Sequence, residues 1–200
     1  MTQALTHIVD DDAAIRDALA WLLKSRALPS KSWDSAEAFL ADYRDSMSGC
    51  LILDIRMGGM TGIELFESLL TRGCTMPAIF LTGHGDVPLA VRMLKRGAYD
   101  FIEKPFNDNE LVDRVNEALG QDASQRAQVA GRAKVDQRLA ALTEREREVM
   151  HYILAGKLNK VIADDLQIAM RTVEVHRARI FDKMGVRSAV ELAQLLAGSR

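Results

Sequence analysis

The chain has 200 residues and a net charge of −2, and its 48% hydrophobic content is typical of a protein with one large or two small globular domains. The longest uninterrupted apolar run, residues 18–23, is too short to cross a bilayer, and no secretory leader pattern is visible, so we expect a cytoplasmic protein without a membrane contact. The charge is unevenly divided: residues 1–120 carry a net −6 and residues 121–200 a net +4, which predicts two domains, the second of which faces a polyanion.

The first 120 residues alternate between short apolar runs that predict strands and amphipathic patterns that predict helices. The predicted strands cover residues 5–9, 30–33, 51–54, 78–81 and 99–102. The predicted helices cover residues 15–23, 34–44, 61–70, 86–96 and 107–120. This alternation predicts an α/β doubly wound five-stranded parallel sheet with helices on both faces, over residues 1–120.

Helix starts are marked by a repeated spacing in which a Ser, Thr, Asp or Asn precedes a Glu by three residues, as in a capping box. The pairs are Asp34 and Glu37, Thr61 and Glu64, Asn107 and Glu110, Thr143 and Glu146, and Ser188 and Glu191. Two isolated cysteines, Cys50 and Cys74, are expected to be buried reduced thiols.

The composition changes after residue 120. Residues 121–140 are rich in Gln, Ala and Arg and are interpreted as a linker that is helical in part. Residues 141–200 contain only helical patterns, at 143–154, 159–166, 171–184 and 188–197. A short helix, a tight turn and a second helix predict an all-α helix-turn-helix domain.

Five polar residues fall at the carboxyl ends of the predicted strands, where ligands of open parallel sheets bind. They are Asp10, Asp11, Asp54, Thr82 and Lys104. Three carboxylates around one point repel each other unless a hard cation is bound, and Mg²⁺ accepts such ligands. A carboxylate beside that cation can act as a nucleophile toward phosphorus, while a lysine and a hydroxyl help to neutralise the transferred group.

Residues 5–120 resemble the receiver domain of two-component response regulators, a flavodoxin-like fold, in the acidic pair and the segments LDIRM, LTGHGDV and FIEKPF. The resemblance implies that Asp54 is the phospho-acceptor and that Asp10, Asp11, Asp54 and the backbone carbonyl of Arg56 hold Mg²⁺. It also implies that Thr82 and Lys104 contact the phosphoryl group, that Phe101 is an aromatic switch residue, and that the peptide bond before Pro105 is cis.

Some of these roles have ordinary alternatives. From the residues alone, Phe101 is as well explained as a core or rim aromatic, and His84 is best explained as a solvated loop residue. The chain also departs from the receiver pattern at Gly58, where the family usually has proline, so the loop beside the acceptor is expected to be less rigid.

The third helix of the back domain is basic, since residues 171–187 hold five cations and two anions. Such a helix can neutralise phosphates and read base edges, although a solvated basic face is the alternative. The segments TEREREVMHYILAGKLNKVIADDL and RTVEVHRARIFDKMGVRS closely resemble the LuxR-type DNA-binding domain, with departures at Gln167, usually Gly, and Ala169, usually Ser. The implied DNA contacts are Arg171, Thr172, Glu174, Val175, Arg177, Ala178, Arg179 and Lys183.

Together the two resemblances identify the chain as similar to response regulators of the FixJ/NarL class, nearest the FixJ side. They imply a transcription regulator that a sensor histidine kinase phosphorylates. The face formed by the helix 86–96 and the strand 99–102 then forms a homodimer or releases the DNA-binding domain, and the dimer binds a two-fold site on double-stranded DNA. A contact with RNA polymerase is a further expectation. The helix at 189–197 is a second dimer contact or, equally, simple core.

Two alternatives remain at this point. A signalling enzyme is disfavoured because the sequence after residue 120 shows no nucleophile–base or metal-ligand spacing. A phosphorylation-independent DNA-binding regulator is disfavoured because all five strand-end residues are present.

Overall fold

The computed structural model describes residues 4–83 and 87–198, which divide into two compact units between Gln125 and Arg126. His84 lies outside the described residues. In the described ranges, no helix combines the length and the apolar character that a membrane crossing requires.

A five-stranded, all-parallel sheet forms the centre of the first unit. Its strands are β1 (Leu5–Val9), β2 (Ser30–Trp33), β3 (Gly49–Asp54), β4 (Ala78–Thr82) and β5 (Asp100–Glu103). Their spatial order is β2-β1-β3-β4-β5, with β3 in the middle and buried along its whole length. The predicted doubly wound sheet is therefore confirmed, and the order reverses at β1 and β3, which places a crevice between their carboxyl ends.

Helices cover both faces of the sheet, as the apolar β3 requires. They are α1 (Ala13–Ser25), α2 (Ala36–Asp42), α3 (Gly62–Thr71), α4 (Val87–Lys95) and α5 (Asp108–Ala140). One core cluster lies between the sheet and α2, α3 and α4, around Phe39, Phe66 and Phe80. The other lies between the sheet and the helices α1 and α5.

The helix α5 is longer than the sequence predicts. The sequence predicts that this helix ends near Gly120 and that a linker follows, whereas α5 continues without a break to Ala140. Glycine is tolerated at position 120 because a single glycine costs a helix only about 1 kcal/mol, and the neighbouring Ala118, Leu119 and Gln121 favour helix. Asp122 fixes the continuation, because its buried carboxylate accepts the Gly49 N–H at 2.9 Å.

The capping boxes at Thr61 and Thr143 are confirmed. In each, the threonine hydroxyl accepts the N–H of the glutamate three residues later, and the glutamate carboxylate accepts the N–H of the threonine. The box at Asp34 was wrong: Ser35 caps α2, and Glu37 binds the Met60 N–H instead. Cys50 is buried as expected, whereas Cys74 is only half-buried.

The second unit packs four helices and the end of α5 around one apolar core. The helices are α6 (Glu144–Leu154), α7 (Asn159–Leu166), α8 (Met170–Met184) and α9 (Ala189–Ala197). The buried face of α8 consists of Val173, Ile180 and Met184, and α8 packs against α6 and α7. The predicted helix-turn-helix is thus confirmed as α7, a tight turn and α8.

Candidate functional site

The strand-end polar residues meet at one edge of the sheet. A cavity of about 340 Å³ opens there beside Arg56. Its walls include all five residues that the strand pattern singled out: Asp10, Asp11, Asp54, Thr82 and Lys104. The parallel sheet accounts for this convergence, because the carboxyl ends of all its strands lie at the same edge.

The ammonium of Lys104 joins the two most buried carboxylates of the cavity. It lies 2.6 Å from Asp54 Oδ1 and 3.0 Å from Asp10 Oδ2. Asp10 is only 2% exposed, and a buried carboxylate needs a charged or hydrogen-bonding partner. Lys104 therefore occupies the place where positive charge is most strongly required.

The pKa values follow from this sharing of one ammonium between two carboxylates. Burial alone would lower the pKa of Lys104, but its hydrogen bonds to Asp54 and Asp10 outweigh burial and raise that pKa. Burial raises the pKa of Asp10, and the hydrogen bond from Lys104 only partly opposes it. The ammonium of Lys104 has two carboxylate partners, whereas Asp10 shares this ammonium with Asp54.

Main-chain N–H groups also donate to the carboxylates of Asp10, Asp11 and Asp54. Asp10 Oδ1 accepts the Asp12 N–H at 2.9 Å, and Asp54 Oδ2 accepts the Arg56 N–H at 2.8 Å. Asp11 Oδ2 accepts the Gly58 N–H, also at 2.9 Å. All three carboxylates are thus held in fixed orientations by the loops that follow β1 and β3.

The donor set fits a hard cation in its chemistry. Two buried carboxylates point at one positive charge, and a third carboxylate, Asp11, lines the same cavity. Across residues 4–83 and 87–198, however, no three His, Cys, Asp or Glu side chains are gathered closely enough to ligate one metal ion.

Thr82 lines the cavity at the end of β4, whereas Phe101, on β5, packs against the core cluster around Phe39, Phe66 and Phe80. Thr82 is buried, and its carbonyl accepts the Lys104 N–H at 2.6 Å. Phe101 is half-buried, with its ring 6.0 Å from that of Phe80. The Lys104–Pro105 peptide bond is cis, as the resemblance implied.

Sequence reasoning missed residues that orient the acidic pair. Arg16, on α1, donates from Nη1 to the Asp10 carbonyl at 2.7 Å, and Asp12 caps the same helix by accepting the Ala14 N–H. Asp12 could have been found as the helix cap, since it directly precedes the apolar periodicity. The contact from Arg16 has no sequence signal.

The predicted DNA-contacting residues lie mostly on the outer face of α8. Six of them are exposed: Arg171, Thr172, Glu174, Val175, Ala178 and Arg179. This face is opposite the buried Val173 and Ile180, as helical periodicity requires. Arg171, with a side chain 88% exposed, leads the face at the first turn.

Four of the predicted contacts have partners within their own unit. Arg171 Nη1 lies 3.7 Å from Glu174 Oε2, one turn further along the same helix. Lys183 Nζ lies 2.6 Å from Glu146 Oε2 and donates to the Ala141 carbonyl at 3.1 Å. The Arg177 guanidinium lies over the Phe181 ring, 5.5 Å from its centroid. The pKa of Glu146 is lowered to about 2, first by its hydrogen bond with Lys183.

The two departures from the LuxR-type pattern both lie in the turn before α8. Gln167 adopts a left-handed conformation, with φ 52° and ψ 46°, at the position where the family usually has glycine. Ala169 occupies the N-cap of α8, and its methyl side chain has no oxygen to accept an N–H. Both ends of the turn therefore lack a stabilising group that the pattern normally supplies.

Comparison with known families divides the chain in the same way as its chemistry. Residues 6–116 match the family described as the response regulator receiver domain. Residues 140–196 match the family described as bacterial regulatory proteins, luxR family.

Individual proteins resemble the chain over nearly its whole length. The C4-dicarboxylate transport transcriptional regulatory protein DctR of Rhodobacter capsulatus is 49% identical, and the match covers 94% of this chain and 97% of that protein. The transcriptional regulatory protein FixJ of Azorhizobium caulinodans is 46% identical over 96% of this chain and 92% of that protein.

Solved structures give the same result. The structure of the response regulator StyR is 39% identical, with a TM-score of 0.92, over 98% of this chain and 99% of that chain. Full-length FixJ from B. japonicum is 40% identical, with a TM-score of 0.60, over 100% of this chain and 98% of that chain.

Proposed function

We propose that Asp54 accepts the phosphoryl group that controls this protein. The chain belongs to the response regulators that join a receiver domain to a LuxR-type DNA-binding domain. The protein is a phosphorylation-gated transcription regulator. The observation that supports Asp54 as acceptor is its position at the end of the buried strand β3, with its Oδ1 only 2.6 Å from the ammonium of Lys104.

The transfer would proceed by attack of an Asp54 carboxylate oxygen on phosphorus. The phosphoryl donor is a phosphohistidine of a sensor kinase, so a P–O bond forms while the P–N bond breaks and the histidine regains a proton. Lys104 is close enough to Asp54 to follow the new dianion, and the Thr82 hydroxyl can donate to one of its oxygens. The carboxylate stays in place because the Arg56 N–H holds its other oxygen.

We assign Mg²⁺ to the same cavity. Asp10, Asp11, Asp54 and the backbone carbonyl of Arg56 would hold it, and the ion would supply positive charge to the phosphoryl oxygens. Asp10 and Asp54 are buried carboxylates, and both form an ion pair with the single ammonium of Lys104. A divalent ion would relieve the repulsion that a single ammonium leaves.

Phosphorylation would act on α4 and β5. Thr82 ends β4 and pairs in register with Glu103, and Phe101 packs on Phe80 in β4, so a shift of Thr82 toward the dianion reaches β5 directly. On α4, Val87, Val91 and Leu94 are exposed apolar residues. We propose that this face pairs with a second copy of the chain, giving a homodimer.

The second unit would bind double-stranded DNA through α8. Arg171 and Arg179 can hold phosphates or guanine edges, while Glu174, Val175 and Ala178 share a face one turn apart. Thr172 and Arg177 would also contact the DNA. A C₂ dimer would bind a two-fold operator. We place this binding in the cytoplasm and propose a contact with RNA polymerase at the promoter. DNA binding, rather than catalysis, is the output that we infer for residues 141–200.

Substitution of the acceptor tests the proposal. The variant Asp54→Asn should gain no phosphoryl group from acetyl phosphate and Mg²⁺, as measured by intact mass, because the amide is not a nucleophile toward phosphorus. The wild-type chain should gain one. The matched control is Asp12→Asn, which changes a carboxylate of the same cavity and preserves a good helix cap.

The outcomes separate the candidates. A phosphorylated Asp54→Asn chain would exclude Asp54 as acceptor. If the wild-type chain gains no phosphoryl group and binds DNA equally well with and without acetyl phosphate, the phosphorylation-independent regulator would be favoured instead.

A further inference from the structure

The main-chain N–H of Gly58 holds one of the three acidic residues of the cavity. Asp11 Oδ2 accepts this N–H at 2.9 Å, across 47 residues of sequence. Asp11 comes from the loop after β1, and Gly58 from the loop between β3 and α3. The hydrogen bond therefore joins a proposed metal ligand to the loop beside the acceptor.

The chain has this N–H because of its departure from the receiver pattern. The family usually has proline at position 58, and proline has no backbone N–H to donate. A Cβ at Gly58 would meet only Asp11 Oδ2, at an ordinary 3.9 Å. Glycine is thus not required here by space, and the feature that distinguishes it from proline is the donor.

The rest of the loop is anchored independently of Asp11. The Arg56 N–H donates to Asp54 Oδ2 at 2.8 Å, and the Met60 N–H donates to Glu37 Oε1 at 2.9 Å. Gly62 N–H donates to the Ile55 carbonyl at 3.2 Å and closes the loop at the start of α3. The Gly58–Asp11 bond can therefore break without releasing the loop as a whole.

We propose that the Gly58 N–H competes with Mg²⁺ for Asp11. The described acidic side chains are not gathered into a three-residue metal site, and the bond from Gly58 is one of the contacts that keep Asp11 in its present orientation. To hold Mg²⁺ together with Asp10 and Asp54, the Asp11 carboxylate would turn toward them and would release the Gly58 N–H. Gly58 is a positioning residue that weakens the resting affinity for the cation and links loading of the cation to this loop.

The inference rests on the proposed function, since it requires that Asp11 be a Mg²⁺ ligand. Its consequence is specific to this chain: a substitution that removes the N–H at position 58 tightens Mg²⁺ binding, whereas one that keeps the N–H does not. Lys104 competes for Asp10 and Asp54 in all variants alike, so its contribution cancels in the comparison.

The first experiment is a calorimetric titration of Mg²⁺ into the full-length chain without any phosphodonor. Wild type, Gly58→Ala and Gly58→Pro are compared. Loss of one hydrogen bond to a carboxylate should lower the Mg²⁺ dissociation constant of Gly58→Pro about fivefold, while Gly58→Ala stays within about twofold of wild type. Equal affinities in all three would overturn the competition but leave the metal site standing. Absence of Mg²⁺ binding in all three would overturn the metal site and the inference with it.

The second measurement needs no variant at position 58 and so does not depend on how proline folds there. Amide hydrogen exchange of Gly58 is followed in the wild-type chain with and without saturating Mg²⁺. The N–H should be protected in the metal-free chain and should exchange faster when Mg²⁺ is bound, approaching its rate in metal-free Asp11→Ala. A Gly58 amide that keeps its protection at saturating Mg²⁺ would refute the competition. The Met60 amide, held by Glu37, should not change and is the internal control.

Discussion

Each unit contains a lysine that neutralises a buried carboxylate. Lys104 serves Asp10 and Asp54, and Lys183 serves Glu146, whose side chain is only 3% exposed. The sequence predicts both lysines as ligands of phosphate groups, on the phosphoryl group and on DNA. Sequence cannot show their internal partners, because 94 residues separate Lys104 from Asp10 and 37 separate Lys183 from Glu146. A DNA contact by Lys183 would require it to give up that ion pair.

The Glu146–Lys183 pair should make the second unit sensitive to acid. The pKa of Glu146 is about 2 in the folded chain and 4.5 without these partners, so its stabilising effect is complete above pH 4.5 and is lost as the pH falls toward 2. Glu146→Gln should lower the free energy of unfolding by about 1–2 kcal/mol at neutral pH and by nearly nothing at pH 2 (discounted for the half-exposed lysine).

Amide exchange of the buried Ile180 on α8, converted to a free energy of opening at several pH values, measures this effect. The matched control is Glu144→Gln, which removes an exposed carboxylate from the first turn of α6, the helix that carries Glu146. Equal acid sensitivity of wild type and Glu146→Gln would mean that the ion pair does not stabilise α8.

Element by element, local patterns predicted what local forces decide. The strand β3 follows from an apolar run, and the caps at Thr61 and Thr143 follow from their three-residue spacing to glutamate. Position 35 shows the limit. Asp34 and Ser35 are both good caps, and Ser35 is selected in a fold where Glu37 is engaged by the distant Met60 N–H.

The long helix α5 shows a second limit. A glycine, a change in composition and a run of polar residues predict a helix end near Gly120, but a single glycine costs a helix only about 1 kcal/mol. The buried contact between Asp122 and the Gly49 N–H lies beyond that glycine and supports continuation. Contacts of this kind, like the one between Gly58 and Asp11, decide boundaries and site geometry but leave no periodic signal in the sequence.

The start of α8 should be loose in the free protein. Ala169 offers no side-chain acceptor at the N-cap, and Met170, 52% exposed, gives the first turn little packing. Ala169→Ser should stabilise the second unit by about 1 kcal/mol, because a hydroxyl can accept an N–H of the first turn. Slower amide exchange at residues 170–173 of the variant, in the absence of DNA, is the expected measurement.

The control for the cap is Gln167→Gly, which relieves the left-handed strain at the other side of the turn without adding an acceptor. It should raise stability without selectively protecting residues 170–173. Strong protection of those residues in the wild-type chain would mean that the helix start is already ordered, and the expected effect of the serine would then disappear.

At the level of the whole molecule, charge is separated between the two functions. The net −6 of residues 1–120 includes the acidic cavity, and the net +4 of residues 121–200 includes the exposed arginines of α8. DNA binding by this chain should therefore weaken steeply with added salt, because arginines that meet phosphates release counterions from DNA.

Lys104 links the chemistry of one residue to the state of the whole molecule. In the proposed function, phosphorylation would convert the Asp54 carboxylate that Lys104 contacts into an acyl phosphate, and the lysine would follow the new dianion for β5 and α4 to respond. Lys104→Ala should therefore still gain a phosphoryl group from acetyl phosphate, since Asp54 remains, but should stay monomeric. Sedimentation velocity with and without acetyl phosphate measures this, and the control is Lys24→Ala, an exposed lysine in the last turn of α1. Wild type and Lys24→Ala should both form a dimer on phosphorylation. A phosphate-dependent dimer of Lys104→Ala would show that the signal reaches the dimer face without Lys104, leaving Thr82 as the group that carries it.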